Sequence, residues 1–119
     1  MQASLPRALV VEDDAALRML SRVNLELDGF QVDEASTVEE TEAVVRANRP
    51  DVVLLDGHLG GQETHSLLAR LRADAIPVAL VTGAADASRY RDEADDLLTK
   101  PFTPQRLVEI ARRLARVEL

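Results

Sequence analysis

Short apolar runs recur along the chain, and each ends on polar or charged residues. The first, Ala8, Leu9, Val10 and Val11, ends on Glu12, Asp13 and Asp14. Another, Val52, Val53, Leu54 and Leu55, ends on Asp56 and leads into a glycine-bearing segment, GHLGGQ. Four consecutive apolar residues without alternation are too few for a buried helix. Each run therefore predicts a strand covered on both faces, as in a parallel sheet. Ile76 to Thr82 (IPVALVT) predicts a further buried strand, with Pro77 tolerable at its start, and Leu97 to Thr99 predicts a brief last one ahead of Lys100. Phe30 to Ala35 alternates apolar and polar residues, the pattern of a half-exposed or edge strand.

The intervening segments carry a helical period. Asp14 is a candidate N-cap, after which Leu17, Leu20, Val23 or Asn24, and Leu27 mark the expected inward face of a helix that Gly29 stops. Ser36 or Thr37 caps a second helix through Val38, Thr41, Val44 and Val45 to about Asn48, closed by Pro50. Its Glu39, Glu40 and Glu42 suit the positive end of the helix dipole. Glu63 to Arg72 carries Leu67, Leu68 and Leu71 on one face, and Thr103 or Pro104 opens a last helix with Leu107, Ile110, Ala111 and Leu114. Ala84 to Asp96 is weakly patterned and predicts only a short or irregular helix. Five repetitions of strand then helix predict an α/β fold, a doubly wound parallel sheet with helices on both faces and all strand ends opening on one side.

Composition narrows the function classes. A length of 119 residues suits one domain, 1–119, with a real core. The net charge of -7 disfavours general attraction to nucleic acid or to an anionic membrane. No run approaches the roughly 18 apolar residues of a membrane span, and MQASLPR lacks the apolar core of a signal peptide, so the expected location is cytoplasmic. Without cysteine, a metal site here uses hard oxygen ligands.

The strand ends carry Glu12 and Asp13, then Asp56, Thr82 and Lys100, and the functional crevice of an open parallel sheet lies at those ends. Read singly, they are polar strand terminators and a solvated acidic cap. Read together, three crowded carboxylates repel unless a cation shares the site. Mg²⁺ resolves this, since it takes one or two carboxylates and keeps positions open for waters and phosphate oxygens. Lys100 and Thr82 add a point charge and a neutral donor for a phosphoryl group, leaving Asp56 free as nucleophile.

In order, Leu9 to Asp13 (LVVED), Val52 to Asp56 (VVLLD), Leu80 to Gly83 (LVTG) and Leu98 to Phe102 (LTKPF) resemble the receiver domain of two-component response regulators, the CheY-like family. The resemblance covers nearly the whole chain. It implies a flavodoxin-like (βα)5 sandwich with strand order 2-1-3-4-5. It further implies that Asp56 is the phosphoacceptor, taking a phosphoryl group from a phosphohistidine of a histidine kinase or phosphotransfer protein. Asp13 resembles the direct Mg²⁺ ligand, with Asp56 and the main-chain carbonyl of His58, while Glu12 acts through a bound water. Lys100 resembles the phosphoryl contact and Thr82 the switch hydroxyl. The implied role is self-catalysed phosphotransfer that changes a surface read by an output domain or protein, rather than turnover of a separate substrate.

Three departures accompany the resemblance. Leu97 stands where the family usually has a switch Tyr or Phe, and Tyr90, in the preceding segment, is expected on the surface. Thr82 and Lys100 are only 18 positions apart, which shortens the fourth helix in a region many receivers use for homodimerisation or output. Gly60 and Gly61 replace the usual Pro-Gly pair and loosen the loop. His58 is read either as a solvated loop side chain or as a group overhanging the acyl phosphate; His65, Asp95, Asp96, Arg106, Arg112, Arg113 and Arg116 are read as solvated. Two other functions compete: a phosphorylation-independent receiver acting as an interaction module, and a phosphatase or dehalogenase with an aspartyl intermediate. The second of these resembles loops with another acid two residues on, where this chain has His58.

Overall fold

A computed structural model describes residues 5–116. The elements run β1 (Arg7–Val11), α1 (Ala15–Leu27), β2 (Gln31–Ala35), α2 (Val38–Ala47), β3 (Val52–Asp56), a ribbon of β4 (His58–Leu59) and β5 (Gln62–Glu63), α3 (His65–Ala73), β6 (Val78–Gly83), a 3-10 turn (Ala87–Tyr90), β7 (Asp96–Lys100) and α4 (Pro104–Ala115). Five strands pair in parallel in the order β2-β1-β3-β6-β7. Leaving out the ribbon, this is the 2-1-3-4-5 order of the flavodoxin-like sandwich.

Alternation along the inner strands sorts the core into two layers, because successive side chains leave a strand on opposite faces. Leu9, Val11, Val53, Leu55, Val78 and Leu80 face α2 and α3, where Leu67, Leu68 and Leu71 meet them. Ala8, Val10, Val52, Leu54, Ala79, Val81 and Leu98 face α1 and α4, meeting Leu25, Leu107, Ile110 and Ala111. Residues of both sets are buried, which is why β1 and β3 read as unbroken apolar runs. β2, at the sheet edge, has the half-exposed pattern that its alternation predicts.

Caps fix where the helices begin. Asp14 accepts the Leu17 amide at 3.0 Å, Thr37 accepts the Glu40 amide at 3.1 Å, and Thr103 accepts the Arg106 amide at 3.1 Å. Thr37 rather than Ser36 is thus the cap of α2. The segment between β6 and β7 holds only the four-residue 3-10 turn, as its weak periodicity predicts.

Four expectations are corrected. The inward face of α1 is Leu17, Ser21 and Leu25, not the stripe ending at Leu27: Leu20 is 48% exposed, Val23 36% and Leu27 82%. Tyr90 is buried at 4% exposure, its ring among the leucines beneath α3. Arg112 is no solvated face residue, since its guanidinium grips the Asp28 carboxylate at the end of α1. Asp96 is half-buried at the start of β7 and pairs with Arg113.

Candidate functional site

The chain leaves β1 for β2 on one side and then crosses to β3 on the other, so the strand order reverses between β1 and β3. Connections depart there in opposite directions and leave a crevice at the carboxyl ends of the strands. Glu12 and Asp13 follow β1 directly, and Asp56 is the last residue of β3. β6 contributes Thr82, one step beyond the residue paired with Asp56, and β7 ends on Lys100. All five side chains foreseen from the strand ends therefore come from the same end of the sheet.

One carboxylate oxygen from each of Glu12, Asp13 and Asp56 lies within 4.8 Å of the others. Lys100 Nζ sits 3.4 Å from Asp56 Oδ2 and 3.5 Å from Glu12 Oε1. Glu12, Asp56 and Thr82 are buried, Lys100 is half-buried and Asp13 opens to solvent. Asp56 Oδ1 accepts the His58 amide at 3.1 Å, and Asp13 Oδ2 accepts the Gly60 amide at 2.9 Å. The His58 side chain is about half exposed, with Nε2 3.9 Å from Asp86 Oδ2. Its ring belongs to the outer side of the ribbon.

Electrostatics follow from this crowding. Burial raises the Glu12 carboxyl to about 7, helped by its hydrogen bond and repulsion with Asp56 and opposed by the Asp14 amide and Lys100. Burial alone would lower the Lys100 ammonium, but attraction to Asp56 and Glu12 outweighs it and holds the proton more firmly. Asp13 shifts the other way, lowered first by the Gly60 amide. One lysine faces three acids. The cluster thus has excess negative charge and an all-oxygen donor set, which fits a hard divalent cation such as Mg²⁺.

Several supporting groups were not foreseen. Thr64 is buried and donates its hydroxyl to the Asp56 main-chain carbonyl at 2.7 Å, and its amide reaches the Gly57 carbonyl at 3.1 Å. Arg18 donates to the Glu12 carbonyl at 2.8 Å. Gly57 runs beside Thr82, whose hydroxyl would stand 3.7 Å from a Cβ placed on that glycine. A threonine just ahead of a helix reads as a cap, and only the fold shows its hydroxyl spent on the neighbouring strand. Thr64 indeed makes no cap bond to α3.

The family profile described as the response regulator receiver domain matches residues 8–112. The phosphate regulon transcriptional regulatory protein PhoB of Rhizobium meliloti (strain 1021) is 36% identical over 123 residues, spanning 96% of this chain and 54% of that protein. The DNA-binding response regulator MtrA of Mycobacterium tuberculosis (strain ATCC 25618 / H37Rv) is 38% identical over 117 residues, spanning 92% and 50%. The chain spans about half the length of these curated relatives. Among solved structures, the receiver domain of NtrX from Brucella abortus superposes with a TM-score of 0.85 at 25% identity, covering 93% of this chain and 99% of that one. The non-phosphorylated HemR receiver domain from Leptospira biflexa gives 0.81 at 28% identity, covering 96% and 97%. With the strand order, the acid cluster at its reversal point and these matches in agreement, the chain belongs to the response regulator receiver domain family.

Proposed function

We propose that the chain, read as a single receiver domain over 1–119, accepts a phosphoryl group on Asp56 from the phosphohistidine of a histidine kinase or phosphotransfer protein in the cytoplasm. The observation that carries this reading is the setting of Asp56: a buried carboxylate at a strand end, with Lys100 Nζ 3.4 Å away and two further acids beside it. An Asp56 oxygen attacks phosphorus, the phosphorus–nitrogen bond breaks, and the imidazole leaves to take up a proton. The product is an acyl phosphate on Asp56. Lys100 meets the negative charge of the transferring group, and Thr82 offers its hydroxyl to a phosphoryl oxygen. Asp13, Asp56 and the His58 main-chain carbonyl would hold Mg²⁺, with Glu12 acting through a water. When bound, that cation supplies charge neutralisation and a fixed orientation for the phosphoryl oxygens.

The product brings about 1.5 to 2 negative charges to one point of the surface, enough to bias nearby elements. The altered surface is then read by an output domain or partner protein. The named relatives, a transcriptional regulatory protein and a DNA-binding response regulator, are about twice this length, so DNA contact is assigned to the remainder of such proteins; the -7 charge of this chain does not favour it.

Leu97 and the four-residue turn favour a second reading, an interaction module that works without phosphate. Intact mass after incubation with Mg²⁺ and acetyl phosphate separates the two. A single Mg²⁺-dependent phosphoryl adduct, absent from Asp56→Asn, is expected. No adduct, together with no binding of beryllofluoride, would establish the phosphate-independent module instead.

A further inference from the structure

The ribbon after β3 does something the acid cluster alone does not require. β4 and β5 pair antiparallel, His58 opposite Glu63 and Leu59 opposite Gln62, so the chain folds back on itself above the crevice. Gly60 and Gly61 form the tip, with φ of +55 and +81. A Cβ at either would meet nothing within 4 Å. Space therefore does not call for glycine at the tip; the left-handed backbone does. Leu59, 3% exposed, and the buried Thr64 anchor the two legs in the fold. From the tip, the Gly60 amide reaches back 47 residues along the chain to Asp13 Oδ2.

Asp13 is exposed and stands beside Glu12 and Asp56. Like charge favours its rotation away into water, where its rotamer is also free. The Gly60 amide opposes both tendencies. It holds one carboxylate oxygen, Oδ2, in place.

We propose that the Gly60 main-chain amide is a positioning group for Asp13, so that closure of the ribbon and occupancy of the metal site are one linked event. This rests on the reading of Glu12, Asp13 and Asp56 as a divalent cation site. Hydrogen-bonding partners that orient metal ligands are worth about 10- to 100-fold in metal affinity. Linkage makes the effect reciprocal: whatever factor the closed ribbon adds to Mg²⁺ binding, Mg²⁺ adds to ribbon closure. The outer side of the ribbon carries this further, since Glu63 lies 3.8 Å from Arg89 and His58 3.9 Å from Asp86 in the segment after β6.

The test combines Mg²⁺ calorimetry with amide hydrogen exchange at Gly60 on the full chain. Saturating Mg²⁺ should slow Gly60 exchange by roughly tenfold. Gly61→Val, a β-branched residue forced to a positive φ, should weaken Mg²⁺ binding by a similar factor, whereas Gly61→Asn, which accepts the left-handed backbone and meets no neighbour within 4 Å, should bind as wild type. Should Gly61→Val fail to fold, the exchange measurement on wild type decides alone. Mg²⁺ binding with Gly60 exchange unchanged or faster overturns the linkage and leaves the metal site standing. Absence of Mg²⁺ binding overturns both.

Discussion

The Thr64 hydroxyl donates to the main-chain carbonyl of Asp56 at 2.7 Å, and the two residues are only 2% and 6% exposed. This bond ties the end of β3 to the start of α3 across the whole ribbon, so the candidate nucleophile is held from behind by a group outside the crevice. Thr64→Val keeps the shape and removes the donor, leaving a buried carbonyl unpaired. The expected loss is about 1–3 kcal/mol, measured as a lower urea midpoint, with Thr64→Ser retaining most of the stability. An unchanged midpoint in the valine variant would show that the carbonyl finds another partner.

Lys100 is the only cation within 4 Å of the Asp56 carboxylate among the described residues. Lys100→Met keeps most of the stem and removes the charge. If Lys100 meets the phosphoryl oxygens, the rate of adduct formation from acetyl phosphate should fall about 10- to 100-fold, the range of one charge-assisted hydrogen bond. Lys100→Arg should not restore it, because a wide planar fork does not replace a compact ammonium in a half-buried slot. A methionine variant labelled at more than half the wild-type rate would remove Lys100 from that role.

Glu12 gives the metal-free protein a pH dependence of definite sign. Its carboxyl is raised from 4.5 to about 7 in the fold, mainly by burial. The folded state therefore holds this proton more tightly than the unfolded chain. Stability from this group is fully present below pH 4.5, declines as pH rises towards 7, and is gone above it. A tenfold difference in proton affinity is worth about 1.4 kcal/mol, so the cost at about pH 8 is on the order of 3 kcal/mol at most, since Asp56 and Lys100 share the titration. Urea unfolding in chelator at about pH 5 and about pH 8, either side of the titration, should show Glu12→Gln gaining stability relative to wild type as pH rises. A constant difference would mean that Glu12 is already ionised in the folded protein at the acid end of that range.

The parts of the fold that were legible in the sequence share one physical cause. β1, β3 and β6 are buried on both faces, so their runs are continuous and their ends are abrupt, which places Glu12, Asp56 and Thr82 without reference to tertiary structure. Thr64 and Gly60 were illegible because they act across the chain: a hydroxyl spent on a carbonyl eight residues away and an amide spent on a carboxylate 47 residues away carry no local period. Tyr90 was misplaced for a related reason. Its segment, ADASRYRDEADD, is charged on both sides, and a 3-10 turn with one inward side chain has no stripe to read. The ring nonetheless packs against the α3 leucines, with the His65 ring centroid 6.3 Å away and the Arg89 guanidinium 5.4 Å from its own centroid.

α1 offers the sharpest test of how a helix chooses its face. Its sequence, AALRMLSRVNLEL, supports two stripes: Leu17, Leu20, Val23 or Asn24, and Leu27, or Leu17, Ser21 and Leu25, which the C-cap Asp28 continues. The first is the more apolar, yet the second faces the sheet. A serine at position 21 lets the helix approach closely, and Asp28 locks the end of that face to Arg112 of α4. Leu25→Ala should cost about 2–5 kcal/mol, because Leu25 is wholly buried and its truncation removes apolar contacts from the core. Leu27→Ala, at 82% exposure, should change stability by no more than about 0.5 kcal/mol. Measured by urea unfolding, the reverse order would mean that α1 turns its more apolar stripe inward in solution.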